Sequence, residues 1–269
     1  MSVGQTVEAT IASYRGVAMD ASPSREKAAL SVRDLSVSFD GFKAVDGVSL
    51  DIEHGELRVV IGPNGAGKTT LLDMICGKTR PSSGSVQLYG VELTKLSDFE
   101  IVRRGVGRKF QNPSVYEELT VEENLELSIP EGRGPIACLL FKRDDGVRSR
   151  IREVASEIYL ENQLSRRAGA LSHGQKQWLE IGMLLMQQPR LLLLDEPVAG
   201  MSPAEREKTA ELLKTIAKGR AIVVIEHDMD FVRSIAHKVT VLHQGRLLAE
   251  GPADVVQADP RVIEVYLGH

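Results

Sequence analysis

The residues whose types and spacing point most directly to chemistry are Gly62-Pro63-Asn64-Gly65-Ala66-Gly67-Lys68-Thr69-Thr70. They satisfy G-x-x-x-x-G-K-[ST], a phosphate-binding loop. Glycines let backbone N–H groups turn inward around a phosphate without a clash at Cβ. A helix that starts within the loop adds the partial positive charge of its N-terminus. Lys68 is placed to reach the outer phosphates of a nucleotide, and the Thr69 hydroxyl to ligate magnesium. Asp195 and Glu196 follow four consecutive leucines. Asp195 is a candidate magnesium ligand, and Glu196 a candidate general base for a water attacking a γ-phosphate. His227 ends another apolar run; it could contact that phosphate or orient the water, though alone it would read as a structural histidine. Ser172-His173-Gly174-Gln175 opens a long helix. Ser172 is suited to cap that helix and to hydrogen-bond an anion, although an ordinary helix start looks the same.

These residues need elements to hold them. Leu57 to Ile61 is apolar and β-branched, which predicts a buried strand leading into the loop, and Leu71 to Cys76 predicts a helix ending near Gly77. Leu191 to Leu194 and Ala221 to Ile225 are apolar throughout, as in strands buried on both faces of a parallel sheet. Carboxylates at the C-terminal end of such a strand lie where α/β sheets bind ligands. Ahead of the loop, Leu30 to Phe39 and Val45 to Ile52 predict an antiparallel pair with turns at Asp40-Gly41 and His54-Gly55. Phe39 suits either an adenine ring or the core. Gly84 to Gly90 predicts a further strand, and Gly105 to Pro113 a strand running into a loop. Helical patterns cover Val121 to Leu127, Val147 to Leu160 and Gln175 to Gln188. Ser202 and Pro203 start a helix that runs to Ala217. A hairpin through Gln244-Gly245 and two short helices end the chain. Residues 1–28 are polar and small and read as a flexible extension. The remainder, 29–269, reads as one domain with a helical subdomain over roughly 112–188.

Apolar residues make up 42% of the 269, enough for a sizeable core, and the net charge of −4 opposes a nucleic-acid partner. Cys76 and Cys138 fit no metal spacing, and reduced thiols are expected. No apolar run approaches the length of a membrane helix; Ile136 to Phe141 reads as core packing. No apolar signal segment opens the chain, so a cytoplasmic protein is expected, membrane-associated only through a partner.

The loop, Gln111, Leu171-Ser172-His173-Gly174-Gln175, Leu194-Asp195-Glu196-Pro197 and His227 occur in an order and spacing that resembles the ATP-binding cassette (ABC) ATPases, from about Leu30 onward. The resemblance implies an α/β fold of the P-loop NTPase type: a mostly parallel core sheet, an antiparallel β subdomain and an α-helical subdomain. It implies ATP and Mg2+ as cofactors, held by residues 62–70, with Thr69, Gln111 and Asp195 at the metal. It implies that Phe39 stacks on adenine, that Glu196, His227 and Gln111 serve hydrolysis, and that Gln111 senses a membrane partner. Ser172, Gly174 and Gln175 would close over ATP bound to a second ATPase subunit, identical or paralogous. Ala199-Gly200-Met201-Ser202 resembles the D-loop between the two sites. The usual signature is L-S-G-G-Q; His173 here replaces its first glycine.

Gly107 to Pro113, Leu119 to Leu125, Leu171 to Met186 and Val198 to Met201 look like the urea-type members of the branched-chain amino acid importer ATPases. That closer resemblance implies two membrane-spanning permease subunits, an indirect link to a periplasmic binding protein, and a place at the inner face of the cell membrane. An alternative is a soluble ABC ATPase acting on nucleic acid or ribosomes, or an exporter ATPase. The short separation of Lys68 and Leu171, without heptads, opposes the coiled-coil chromosome type.

Overall fold

In chain order the regular elements are β1 (Leu30–Phe39), β2 (Phe42–Ile52), β3 (Leu57–Ile61), α1 (Lys68–Ile75), β4 (Ser83–Leu88), β5 (Val91–Glu92), α2 (Asp98–Arg103), β6 (Val106–Lys109), α3 (Val121–Leu127), α4 (Asp145–Glu157), α5 (His173–Met186), β7 (Leu191–Asp195), α6 (Pro203–Ala217), β8 (Ala221–Ile225), α7 (Met229–Ile235), β9 (Lys238–His243), β10 (Arg246–Gly251), α8 (Ala253–Gln257) and α9 (Pro260–Leu267). The structure, a computed structural model, describes residues 28–109, 115–130 and 145–267. Gln111, Cys138, the Ile136–Phe141 run and nearly all of the expected extension over 1–28 lie outside the described residues.

Two sheets form. The first is antiparallel, in the order β2-β1-β4-β5. The second has the order β10-β9-β3-β8-β7-β6, parallel from β9 through β6, with β10 antiparallel at one edge. Every residue of β3, β7 and β8 is buried. The reason is that both faces of this sheet are covered, and side chains alternate between them. Val59, Ile61, Leu192, Leu194, Ile222 and Val224 point into one core, shared with Leu125, Val154, Leu179, Leu213 and Val232 of the helices. Val60, Leu191, Leu193 and Val223 point into the other, against Leu71, Leu72 and Ile75 of α1 and the antiparallel sheet.

A charged residue interrupts the apolar run of β3. Arg58 sits in β3 with no exposed surface. Its guanidinium donates to Glu56 at 2.6 Å, Glu250 at 2.6 Å, Thr240 at 2.9 Å and the Asp51 carbonyl at 2.7 Å. A buried charge tolerates this place only because each of its three nitrogens finds a partner.

The helices start where side chains satisfy the orphan N–H groups. Ser97, Thr120, Ser172 and Ser202 each form a capping box, with Glu100, Glu123, Gln175 and Glu205 respectively. Helices α2 and α7 were not expected from sequence pattern; they are single short elements set by Ser97 and Asp228 caps. β2 begins at Phe42 rather than Val45, and α5 spans 173–186 rather than 175–188. Phe39 is not a core residue: it is 48% exposed at the end of the β1–β2 hairpin, paired with Phe42, itself 66% exposed.

Candidate functional site

Because β3, β8 and β7 are parallel neighbours, their C-terminal ends leave the sheet at one edge. The 62–70 loop, Glu226-His227 and Asp195-Glu196 follow those three ends in turn, the crevice position for ligands in α/β sheets. The loop is held by its glycines. At Gly62 (φ +150°) an added Cβ would lie 2.2 Å from the Leu242 carbonyl oxygen of β9. At Gly67 (φ +97°) it would lie 2.3 Å from the Ala44 carbonyl oxygen of β2. At Gly65 (φ +77°) the space is open. The hairpin turn joins in: the Gly245 N–H donates to the Ala66 carbonyl at 3.1 Å.

Lys68 opens α1 and turns back into the loop, donating to the carbonyls of Gly62 at 2.7 Å and Pro63 at 3.0 Å. Burial lowers its pKa, and the charges of Glu196 and Asp195 counter that. The ammonium is therefore ringed by loop carbonyls and faces two carboxylates. The Thr69 hydroxyl donates to Asp195 Oδ2 at 3.2 Å. Asp195 is 3% exposed, and burial raises its pKa, offset by the Thr69 hydrogen bond and the Arg108 charge. A hydroxyl and a carboxylate this close suit a cation that takes its remaining ligands from phosphate oxygens and water, the usual habit of magnesium. The described residues contain no cluster of three His, Cys, Asp or Glu side chains that would form a protein-only metal cage.

Glu196 stands one residue beyond Asp195 with φ +47°, a left-handed backbone that costs energy for a residue with Cβ and is concentrated at functional sites. Its Oε1 is 3.5 Å from His227 Nδ1, and its side chain keeps 33% exposure. A carboxylate open to water and flanked by an imidazole is equipped to accept a proton. Glu226 sits behind them, 2% exposed, with its pKa raised by burial. Its carboxylate accepts from the His227 N–H at 3.2 Å and the Val198 N–H at 3.4 Å, tying the two strand ends together.

Ser172, Gly174 and Gln175 lie elsewhere. Among the described residues their side-chain hydrogen bonds stay within the cap and on α6, with none to the 62–70 loop. Ser172 Oγ accepts from the Gln175 N–H at 3.2 Å and donates to Glu205 Oε1 at 3.0 Å. Gly174 needs its missing side chain, since a Cβ would fall 2.4 Å from Glu205 Oε1. The body of α5 is anchored by a buried Lys109–Glu180 ion pair at 3.4 Å, which joins it to the end of β6, two residues before Gln111. So the structure brings Lys68, Thr69, Asp195, Glu196 and His227 together and ties Ser172 to α6 instead, while Phe39 stands at the end of the β1–β2 hairpin. Glu205 and Glu226 escaped the sequence reading. The S-x-x-E spacing of Ser202 and Glu205 announces a cap but not its second partner, Ser172.

Residues 45–199 match the ABC transporter family, and residues 246–269 match the branched-chain amino acid ATP-binding cassette transporter family. The chain is 38% identical over 253 residues to the high-affinity branched-chain amino acid transport ATP-binding protein BraF of Pseudomonas aeruginosa, covering 89% of this chain and 97% of that protein. It is 35% identical to the LivG counterpart of Escherichia coli K12, with 89% and 97% covered. The ADP conformation of an ATP-binding cassette of an ABC transporter superposes with a TM-score of 0.79 at 32% identity, covering 90% of this chain and 100% of that one. With the loop and the strand-end carboxylates meeting at one sheet edge, and with relatives matched over nearly their whole length, the chain belongs to the ATP-hydrolysing, ATP-binding subunits of ABC transporters, in the group of the branched-chain amino acid importers.

Proposed function

We propose that the chain powers uptake of branched-chain amino acids, or of small amides such as urea, through two separate membrane-spanning permease subunits. The observation that carries the importer reading is the C-terminal match over 246–269, the part that distinguishes branched-chain amino acid cassettes from other ABC ATPases. Urea rests on the resemblance of Gly107–Pro113, Leu119–Leu125, Leu171–Met186 and Val198–Met201 alone. The solute is read by other subunits. Among the described residues no helix is long and apolar enough to cross a membrane, so association with the inner face of the membrane comes from the permease.

In this reading the loop amides and Lys68 hold the β- and γ-phosphates, releasing the Gly62 and Pro63 carbonyls that Lys68 now binds. Thr69, Asp195 and Gln111 would hold Mg2+, which would supply positive charge against that developing on the phosphates. Glu196 takes the proton of the attacking water, with His227 beside it. Phe39 offers an exposed ring for the adenine. Ser172, Gly174 and Gln175 act on the nucleotide of a second ATPase subunit, a reading supported by side-chain hydrogen bonds that, among the described residues, reach α6 and not their own loop. A helix N-terminus and a hydroxyl supply donors to the open side of the γ-phosphate.

The test is reconstitution with the permease subunits and binding protein encoded with the chain, measuring ATP hydrolysis and uptake with leucine, isoleucine, valine, urea and acetamide. Stimulation by one of these with uptake is expected. Stimulation only by solutes presented from the cytoplasmic side would contradict the importer reading.

A further inference from the structure

We infer that His173 is a positioning residue: it fastens the signature turn to the Val198–Met201 turn of its own chain, so that the two surfaces move as one unit. The imidazole Nε2 lies 3.1 Å from the Ala199 carbonyl oxygen, 26 positions along the chain. A ring N–H donating to that oxygen pins the start of α5 to the turn. The turn is shaped to receive the ring. Gly200 has φ +72°, and a Cβ there would lie 3.3 Å from His173 Cδ2 and Nε2. Glycine thus serves both the backbone and the imidazole.

A second tie runs parallel to the first. Glu205 accepts from the Ser202 N–H at 2.9 Å and hydroxyl at 2.8 Å with one oxygen, and from the Ser172 hydroxyl at 3.0 Å with the other. Those Ser202 hydrogen bonds hold the Glu205 pKa below the usual carboxylate range, so the tie is charge-assisted. Residues 172–174 and 199–202 are therefore linked at two points, and His173, Ala199 and Gly200 are exposed, where a second subunit meets both at once. Glycine at position 173 would leave only the Glu205 tie. The consequence for nucleotide-driven pairing rests on the shared-site reading above; the fastening itself does not.

The experiment is residue-resolved amide hydrogen exchange on the purified full chain as wild type, His173→Ala and His173→Gln. The reporters are the Ala199 and Met201 amides, which donate to Glu196 and Val198 within the turn. In His173→Ala they are expected to exchange about two- to ten-fold faster, the factor that loss of one ordinary hydrogen bond commands. Glutamine reaches as far as Nε2 and carries a donor, so His173→Gln is expected to restore protection. In parallel, ATP-driven dimerisation is measured in a Glu196→Gln background. His173→Ala is expected to weaken it by a similar factor while leaving ATP affinity of the monomer within two-fold. Equal exchange in all three proteins overturns the inference, as does a glutamine variant that exchanges as fast as alanine. Unchanged dimerisation with altered exchange overturns its functional half. A Glu196→Gln chain that pairs with ATP neither with itself nor with a co-encoded paralogue contradicts the shared-site reading, and the exchange result still decides the fastening.

Discussion

Alanine at Gly62 and at Gly65 makes a matched pair of perturbations, because the chemistry is the same and the surroundings differ. Gly65 has φ +77° with open space around its missing Cβ. Alanine there carries only backbone strain, about 1–2 kcal/mol. Gly62 has φ +150°, and its Cβ would penetrate to 2.2 Å from a backbone oxygen of β9 and 3.2 Å from the Ala66 Cβ. Strain in that glycine region costs about 1–3 kcal/mol, and overpacking a rigid neighbour about 1–3 kcal/mol more. The sum, about 2–6 kcal/mol, translates for a domain of this size into a fall of about 4–24 °C in Tm. Gly65→Ala should fall by only about 2–8 °C by the same conversion. Differential scanning calorimetry of the three proteins reads this directly. The backbone of β9 is held on both sides, paired with β3 up to Val241 and with β10 at Leu242, opposite Leu247. Nucleotide titration should show the Gly62 variant weakened as well, because the same displacement moves the carbonyl that Lys68 holds. A Gly62→Ala protein within 2 °C of wild type, or no less stable than Gly65→Ala, would refute the claim that the loop is shaped by contact with the sheet.

Lys68→Ala should abolish turnover and reduce ATP affinity in a fluorescence titration, since it removes the ammonium aimed at the phosphates; unchanged affinity with normal turnover would contradict its role. Asp195→Asn should lose hydrolysis yet unfold at a higher temperature than wild type near neutral pH. The raised Asp195 pKa means that the folded chain binds this proton more tightly than the unfolded chain, so its charge lowers stability at neutral pH and acidification relieves that. The gap in Tm between the two proteins should therefore close as pH falls from 7 towards the ordinary carboxylate range; a constant gap would show that Asp195 is not held in that state. Lys68→Ala and Ser172→Arg proteins, each inactive alone, should regain part of their ATPase activity when mixed at high concentration, because one composite site of the mixed dimer carries neither change. Failure to recover while the mixed dimer demonstrably forms would refute the placement of Ser172 against a partner's nucleotide.

The site was legible where function is packed into consecutive residues. A phosphate loop lies between one strand and one helix, and the two carboxylates end a run of leucines, so the pattern and the place are written in the same few positions. Parallel pairing of β3, β8 and β7 then brings the strand ends together without further information. Contacts between distant segments were not legible. Arg58 is hidden in an apolar run because its partners, Glu250 and Thr240, arrive from the other end of the chain. The second role of Glu205 and the seat of His173 on Ala199 depend on how α5 docks beside α6, which no local spacing encodes. Phe39 illustrates the limit of periodicity: alternation along β1 suits a buried residue, but the hairpin end projects beyond the layer that would cover it. The short helices α2 and α7 carry too few residues to show a helical period, and only their caps mark them.

The central claim is that the strand-end carboxylate Glu196 drives ATP hydrolysis at the loop that Lys68 completes. Steady-state ATPase measured beside ATP affinity for wild type and Glu196→Gln tests it most directly. Glutamine preserves shape at the left-handed position but cannot accept a proton from water. The account predicts intact ATP binding, a rate lower by about 10²–10⁴-fold, and an ATP-bound dimer that accumulates. A Glu196→Gln protein that binds ATP and turns it over within a few-fold of wild type would contradict it.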